Sequence, residues 1–528
     1  MKTVEFKRSL NIVLPCIGYG ALSGALVGGF VFFFKYAAKL IEEFSRGIFS
    51  FARENLWFIP VVVAGAVLLA LMEYFLHKKI PEVRGGGIPR TEGILRGMLS
   101  FKWLRTLLGT VVGSLVSFLG GLPLGSEGPA VLIGTSIGGM CGSHSSHGAA
   151  WQRHIMSGGA GAGFAVATGA PISGMLFVIE EVHKKFAPTL ILMVSVSTIC
   201  ATIVNKILCS VFGISDRLFD FGLLPEFNIE NIGFLIIMCL LVSFAVGAFD
   251  ASISHISDIT VKLKKLISRS VRLVLLFAIV SIFGIFYSEA VFSGHHVVSH
   301  LFLHNNAIGA VLILALVRMA LLLFATDSGA TGGIYIPTLT IGVLVSFIFS
   351  SLMTYIGMSS EFVPLLAVIG MCAFLGGTLR SPFVALVFFI EITEGLGNIF
   401  FAAVAIFVVN IVTTFFDKKP FYDRVLEGME RAEHEGKTLA VKFFEMKVSK
   451  DAFVIGKSVR DIMWPHASVI VSISRDHRNF SDTDLDGEKR LHEGDTLVLR
   501  ARTYDEEILK SYLHDLVGFD YDIVVSEK

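Results

Sequence analysis

Apolar residues run in long blocks through most of this chain, and polar residues collect where the blocks end. The blocks stand near 22–41, 58–77, 104–122, 157–181, 189–213, 231–249, 271–290, 307–325, 336–357, 363–377 and 397–416. A helix needs about 20 apolar residues to cross the hydrocarbon of a bilayer, so the pattern predicts an all-α polytopic membrane protein. Basic clusters mark one side: Lys78, Lys79 and Arg84; Lys184 and Lys185; Lys262, Lys264, Lys265, Arg269 and Arg272; Lys418 and Lys419. Such clusters favour the cytoplasmic face. The loops at 216–220 and 295–304 are poorer in Lys and Arg. The basic start at Met1 to Ser9 mimics a signal peptide, but the apolar run continues to about Leu40 without a cleavage site. It reads as a retained helix pair.

From Asp417 the period shortens. Residues 439–448 read as a strand with a register change at Phe443-Phe444, and 456–462 as a short helix. Residues 468–475 alternate, with Val469, Val471 and Ile473 on one face, and 496–500 form a further strand. Residues 504–517 have helical spacing, with Ile508, Tyr512, Leu513 and Leu516 on one side. The expected organisation is a membrane domain over 1–423 and a charged linker over 424–438 that extends a helix from the membrane. A small cytoplasmic α/β domain then covers 439–520, and 521–528 is a tail.

Composition agrees. The chain is 53% apolar and 17% charged, where soluble domains carry about 25% charged residues. Zero net charge gives no argument for nucleic acid as a partner. The six cysteines lie in or beside apolar segments without C-x-x-C spacing and read as reduced core residues. His144, His147 and His154, and likewise His295, His296 and His300, lack acids or cysteines at metal spacing. With no nucleophile–base pair or phosphate loop evident, the reading is a transporter with no cofactor, not an enzyme. Arg318 and Arg380, in apolar segments, are expected to satisfy helix ends or carboxylates.

The strongest organisational signal is an internal repeat. Gly125-x3-Pro129-x4-Gly134 recurs as Gly333-x3-Pro337-x4-Gly342, an offset of 208 residues (129 to 337). Pro171-x7-Ile179-Glu180 recurs as Pro382-x7-Ile390-Glu391, an offset of 211 (171 to 382). Duplicated halves with Gly/Pro-interrupted apolar segments point to a transporter whose site lies where broken helices meet. Three such breaks stand out: Gly85-Gly86-Gly87-Ile88-Pro89, Gly125-Ser126-Glu127-Gly128-Pro129, and Gly332-Gly333-Ile334-Tyr335-Ile336-Pro337. A helix that begins inside a membrane aims unpaired N–H groups and its positive dipole end at the break. Converging ends would bind an anion without a full positive charge, weakly enough to release it. Glu127, an acid between two apolar runs, is costly there and marks function.

These motifs resemble the signatures of the CLC family of chloride channels and proton-coupled chloride transporters, over about residues 15–425. The family's G-S-G-I-P, G-[KR]-E-G-P and G-x-F-x-P stand here at 85–89, 125–129 and 333–337, followed by Tyr422 in Lys419-Pro420-Phe421-Tyr422. The resemblance implies the CLC fold of two inverted repeats, and a homodimer with one pathway per subunit; the expected location, from the lack of organelle signals and the character of the tail, is a prokaryotic plasma membrane. Glu127 would be the external gating glutamate and Glu181 the internal proton-transfer glutamate, where family channels usually carry an apolar residue. Chloride would meet Gly86, Gly128, the N–H groups of Ile334 and Tyr335, and the Tyr422 hydroxyl. Glu180 aligns with Glu391, which gives Glu180 a structural role. The expected activity is chloride–proton antiport; the alternative is a passive anion channel with altered selectivity for nitrate or fluoride. Three departures motivate that alternative: Gly86 stands for Ser, Ser126 for Lys or Arg, and Tyr335 for Phe.

The tail resembles the RCK-C ligand-binding domain, through Gly456-Lys457-Ser458, residues 469–475 and Glu493-Gly494-Asp495-Thr496-Leu497-Val498. That resemblance implies a small regulator, cyclic di-AMP among them, held between two tails, with Val469, Ile470 and Arg475 as contacts. A potassium transporter, suggested by the tail alone, would need a four-fold pore-loop repeat, and the membrane part has two halves.

Overall fold

A computed structural model describes residues 2–145, 148–263, 267–302, 306–416, 419–475, 478–480 and 486–526. His147, Lys264, Lys265 and Lys418 lie outside them. The first half contains α1 (Lys2–Glu54), α2 (Ile59–Lys79), α3 (Gly87–Arg96), α4 (Trp103–Leu119), α5 (Glu127–Ser143), α6 (Gly148–Thr168), α7 (Pro171–Leu176) and α8 (Pro188–Phe212). The second contains α9 (Ile232–Leu263), α10 (Arg269–Phe286), α11 (His295–His300), α12 (Ile308–Ser328), α13 (Tyr335–Thr354), α14 (Val363–Leu379), α15 (Pro382–Thr393) and α16 (Ile399–Thr414). Among the described residues, eight helical stretches are long and apolar enough to cross a membrane. α13 and α14 are apolar on every side because they sit inside the helix bundle, where no face meets water.

Two expectations about the blocks change. The helix pair expected at the start is one helix, α1, with Pro15 inside it. Its polar stretch continues as helix because Arg46 pairs with Glu42 at 2.9 Å and Lys39 reaches Glu43 at 3.9 Å, both one turn apart. The block at 157–181 is broken: α6 ends before Gly169, which adopts φ 69°, and α7 starts at Pro171. The same punctuation recurs in the second half, where Arg380 at φ 59° separates α14 from Pro382. As expected, both arginines serve carbonyls. Arg380 donates to Thr413 O at 3.0 Å, and Arg318 donates to the carbonyls of Glu289, Val291 and Phe292.

The repeated glutamates explain how the halves join. Glu391 accepts from the N–H groups of Ile172 and Ser173 at 2.8 and 2.9 Å, at the start of α7. Glu180 accepts from those of Phe383 and Val384 at 3.1 and 2.7 Å, at the start of α15. Each half thus caps the other half's helix, a two-fold arrangement. Gly125 and Gly333 obey it too, exchanging both N–H···O bonds at 2.7 Å. Glu391→Ala or Glu180→Ala would strand two helix-end donors. Each is expected to lower stability by about 2 kcal/mol, read as an earlier thermal unfolding midpoint in detergent.

α17 (Phe421–Glu433) leads out of the bundle. The predicted linker is therefore mostly helix, pinned to α3 by Arg90–Glu433 at 3.1 Å and to α9 by Arg424–Asp250 at 2.5 Å. The C-terminal domain is one antiparallel sheet of β1 (Ala440–Lys447), β2 (Ser468–Arg475), β3 (Arg478–Phe480), β4 (Thr496–Thr503) and β5 (Val524–Ser526), with α18 (Glu506–Val517). The strand order is β3-β2-β4-β1-β5, so the sheet takes in residues beyond the predicted domain end at 520. β1 keeps one register against β4 throughout, so no shift occurs at Phe443-Phe444. Residues 456–462 hold only a single 3-10 turn, Val459–Asp461. Val469 and Ile473 do not share a face, because a bulge at Val471 inverts the alternation: Val469 is exposed and Ile473 buried. α18 buries Leu509, Leu513 and Leu516 and leaves the expected core residue Ile508 exposed. The domain docks on α6, with Phe453 against Trp151 and His154, and Arg153 over the Tyr512 ring at 3.8 Å.

Candidate functional site

Three helices begin at one point. α3, α5 and α13 start as Gly87-Ile88-Pro89, Glu127-Gly128-Pro129 and Tyr335-Ile336-Pro337. Each has Pro third, inside the first turn, where a missing N–H costs nothing. The backbones touch. A Cβ on Gly87 would fall 2.0 Å from Gly128 O, one on Gly128 would fall 2.8 Å from Gly333 Cα, and one on Gly333 would fall 2.6 Å from Gly128 N. Only glycine permits that convergence, and it gathers three positive helix ends, while Arg90 in the first turn of α3 pairs with Glu433. α5 is held at this depth by its crossing with α6. There Gly134 and Gly159 each lie so close that an added Cβ would meet the other's carbonyl oxygen at 2.1 Å.

The loops before the helices are pinned separately. Gly85 N–H donates to Gly329 O at 3.1 Å. Thr331 N–H donates to the buried Glu73 at 2.6 Å, and His77 Nε2 lies 2.8 Å from Thr331 Oγ1. Arg269 reaches His77 Nδ1 at 3.0 Å. Glu73 and His77 went unnoticed in the sequence; their signal is two ionisable groups one turn apart in a helix that is apolar up to its basic end at Lys78-Lys79.

The structure brings the expected anion contacts to this convergence. Gly86 immediately precedes α3, Gly128 is second in α5, and Ile334 and Tyr335 open α13. Tyr335 packs edge-on against Phe164 and Phe388. Tyr422 arrives from the first turn of α17. Both tyrosine hydroxyls are buried, and neither has a hydrogen-bond partner among the described residues. An unpaired buried donor is costly, and an anion would satisfy it.

The two expected acids occupy different environments. Glu127 is fully buried, and Ser126 Oγ donates to its Oε1 at 3.2 Å. Its Oε2 has no hydrogen-bond partner among the described residues, and His295 Nε2 lies 3.4 Å from Oε1. Ser126 and His295 line a cavity of about 500 Å³ on the face away from the C-terminal domain. Glu181 is buried on the other side, hydrogen-bonded by Ser381 Oγ. Arg96 donates to the Glu181 and Val182 carbonyls, pairs with Glu92 at 2.6 Å, and approaches Asp423 at 3.7 Å. Lys184 closes the cluster on Asp423 at 3.0 Å. Glu92 was also missed; its signal is the Glu92–Arg96 pair one turn apart just after the first break.

Residues 177–183, which carry both Glu180 and Glu181, form a π-helical turn. The matching stretch of the second half stays α-helical in α15. The wider turn lets adjacent glutamates diverge, Glu180 to the α15 cap and Glu181 inward to Ser381.

In the C-terminal domain, Val469 is exposed and Ile470 half-buried, while Arg475, at the far end of β2, forks Asp495 at 2.6 and 2.7 Å. The described residues contain no group of three or more His, Cys, Asp or Glu set to hold a metal ion. His154 instead donates from Nδ1 to Ala150 O at 2.8 Å.

Comparison with known proteins agrees with this geometry. The H(+)/Cl(-) exchange transporter ClcA of Salmonella paratyphi B is 26% identical over 436 residues, covering 80% of this chain and 89% of the relative. A slow cyanobacterial Cl-/H+ antiporter of known structure is 26% identical with a TM-score of 0.72, covering 80% of this chain and 99% of that one. A CLC-type fluoride/proton antiporter shares the fold at 17% identity, with a TM-score of 0.62 over 77% of this chain and 96% of its own. The family model described as "Voltage gated chloride channel" matches residues 64–414, and the chain belongs to that family.

Proposed function

We propose that this protein exchanges chloride for protons across a membrane, with Glu127 and Glu181 as the two proton stations. The observation that carries the reading is a pair of buried carboxylates on either side of the three converging helix ends. An ionised Glu127 competes with chloride for the N–H groups at the helix starts; a protonated one gives way. Glu181 lies beside Arg96, which donates to its backbone carbonyl, and near the Lys184–Asp423 pair, on the face that holds the C-terminal domain. The basic clusters make that face cytoplasmic. Transport, not catalysis, is the activity, and two copies with separate pathways form the working unit in the cell membrane.

The test is flux in liposomes under a chloride gradient. Uphill proton movement with the gradient supports exchange. Glu181→Gln is expected to stop proton movement while chloride flux persists. Chloride flux without proton movement in the unaltered protein would replace this reading with a passive channel, which the missing hydroxyl at Gly86 favours. The C-terminal domain is proposed to take a small regulator at Val469, Ile470 and Arg475, cyclic di-AMP first. Calorimetry on the full-length protein showing no heat of binding would remove that ligand.

A further inference from the structure

We infer that His295 is a positioning and proton-relay residue for Glu127, an inference that rests on the gate reading of that glutamate. Its Nε2 is 3.4 Å from the carboxylate, while its ring packs on Phe219 with centroids 5.5 Å apart. One face of the imidazole is therefore fixed, and Nε2 stands within ion-pair distance of the gate. About one third of the side chain remains exposed to the cavity, so it meets both the gate and the solution.

The other charged groups around that cavity make their direct contacts elsewhere. On α1, Lys35 donates to Val166 O at 2.8 Å and acts on Glu127 through space without touching it, Lys39 reaches Glu43, and Arg46 pairs with Glu42. In the loop after α8, Asp216 faces Lys206 at 3.9 Å and Arg217 pairs with Glu394 at 2.5 Å. On α11 itself, His296 and His300 stack on each other at 4.0 Å. Position 126 offers a hydroxyl only. Among the described residues, His295 is thus the cationic-capable side chain within contact distance of the Glu127 carboxylate.

Imidazole is the side chain that gains or loses charge between about pH 5 and 8. Protonated, it holds the carboxylate toward the cavity and passes it a proton: the Nε2–H bond breaks, an Oε1–H bond forms, and the imidazole is left neutral. Water in the cavity then reprotonates the ring.

The experiment is chloride-driven proton uptake by full-length protein in liposomes, with external pH varied and internal pH fixed. Unaltered protein should speed up as external pH falls across that interval. His295→Gln should flatten the rise and slow exchange at about pH 5 by about 100-fold with the ion ratio unchanged. His295→Lys, carrying a fixed charge, should be flat as well. His300→Gln, which leaves the gate contact alone, should keep the normal profile. A normal profile in both His295 variants overturns the relay. Glu127→Gln in the same liposomes separates the two readings. If it uncouples protons while the His295 variants stay normal, only the relay fails; if it stays coupled, the gate reading fails and the relay with it.

Discussion

Glu127→Gln is expected to abolish proton movement and leave chloride running down its gradient. The amide fills the same space but cannot ionise, so it can neither carry a proton nor compete with chloride as an anion. The carboxylate it replaces is buried; among the described residues one oxygen has no hydrogen-bond partner and the other meets Ser126 and His295. Loss of one charge therefore removes a working part without removing a structural contact, and the fold should survive. The measurement is simultaneous chloride and pH recording on proteoliposomes. Proton uptake should fall by at least about 100-fold, the scale of losing an essential acid–base group, while chloride efflux remains measurable. Coupled proton movement in this variant would end Glu127's role as the gate.

The second large effect should separate two neighbouring glycines. Gly87→Ala puts a methyl 2.0 Å from Gly128 O, a backbone atom that cannot rotate away. The starts of α3 and α5 must part. Overpacking of backbone on backbone costs about 3 kcal/mol or more, and the parted helix ends lose their common focus. Gly87→Ala is therefore expected to weaken chloride binding by at least about tenfold, the loss of one charge-assisted hydrogen bond, and to lower the thermal midpoint. Gly86→Ser should do neither harm. Its Cβ meets nothing nearer than Pro89 Cδ at 3.5 Å. The added hydroxyl would restore a donor of about 1 kcal/mol and raise preference for chloride over nitrate. Calorimetry with each anion, alongside thermal unfolding in detergent, distinguishes the variants. Equal behaviour of the two would show that the convergence does not form the anion site.

Much of this site was legible because it is written in backbone chemistry. Gly and Pro at fixed spacing announce helix breaks, and the repeat at 125–134 and 333–342 says that two breaks are equivalent. The 180/391 pairing also announced a structural glutamate, though not that each would cap the opposite half. Side-chain partnerships across the fold were hidden. His295 looked like a poor metal ligand for want of acids or cysteines at metal spacing, and its link to Glu127, 168 residues away, has no local signal. Glu73 and Thr331 are likewise joined only by the fold, 258 residues apart. The small domain was read well where strands alternate cleanly, as in β4, and less well where one inserted residue at Val471 inverts the pattern. α18 was placed but rotated, since Ile508 and Leu509 are equally apolar and sequence period alone did not choose between them.

The exchanged caps have a consequence for synthesis. Ser173 must wait for Glu391, 218 residues later in the chain. At about 5–20 residues per second, that delay is roughly 10–40 s. During it the ribosome has delivered the whole first half, yet the start of α7 has nothing to accept its N–H groups, and exposed donors are costly in lipid. The first half is therefore not a finished body awaiting a twin. It stays partly unassembled until the second half inserts, and a nascent chain stopped before residue 391 should be recognised by the cell as an orphan, to be degraded and not stored.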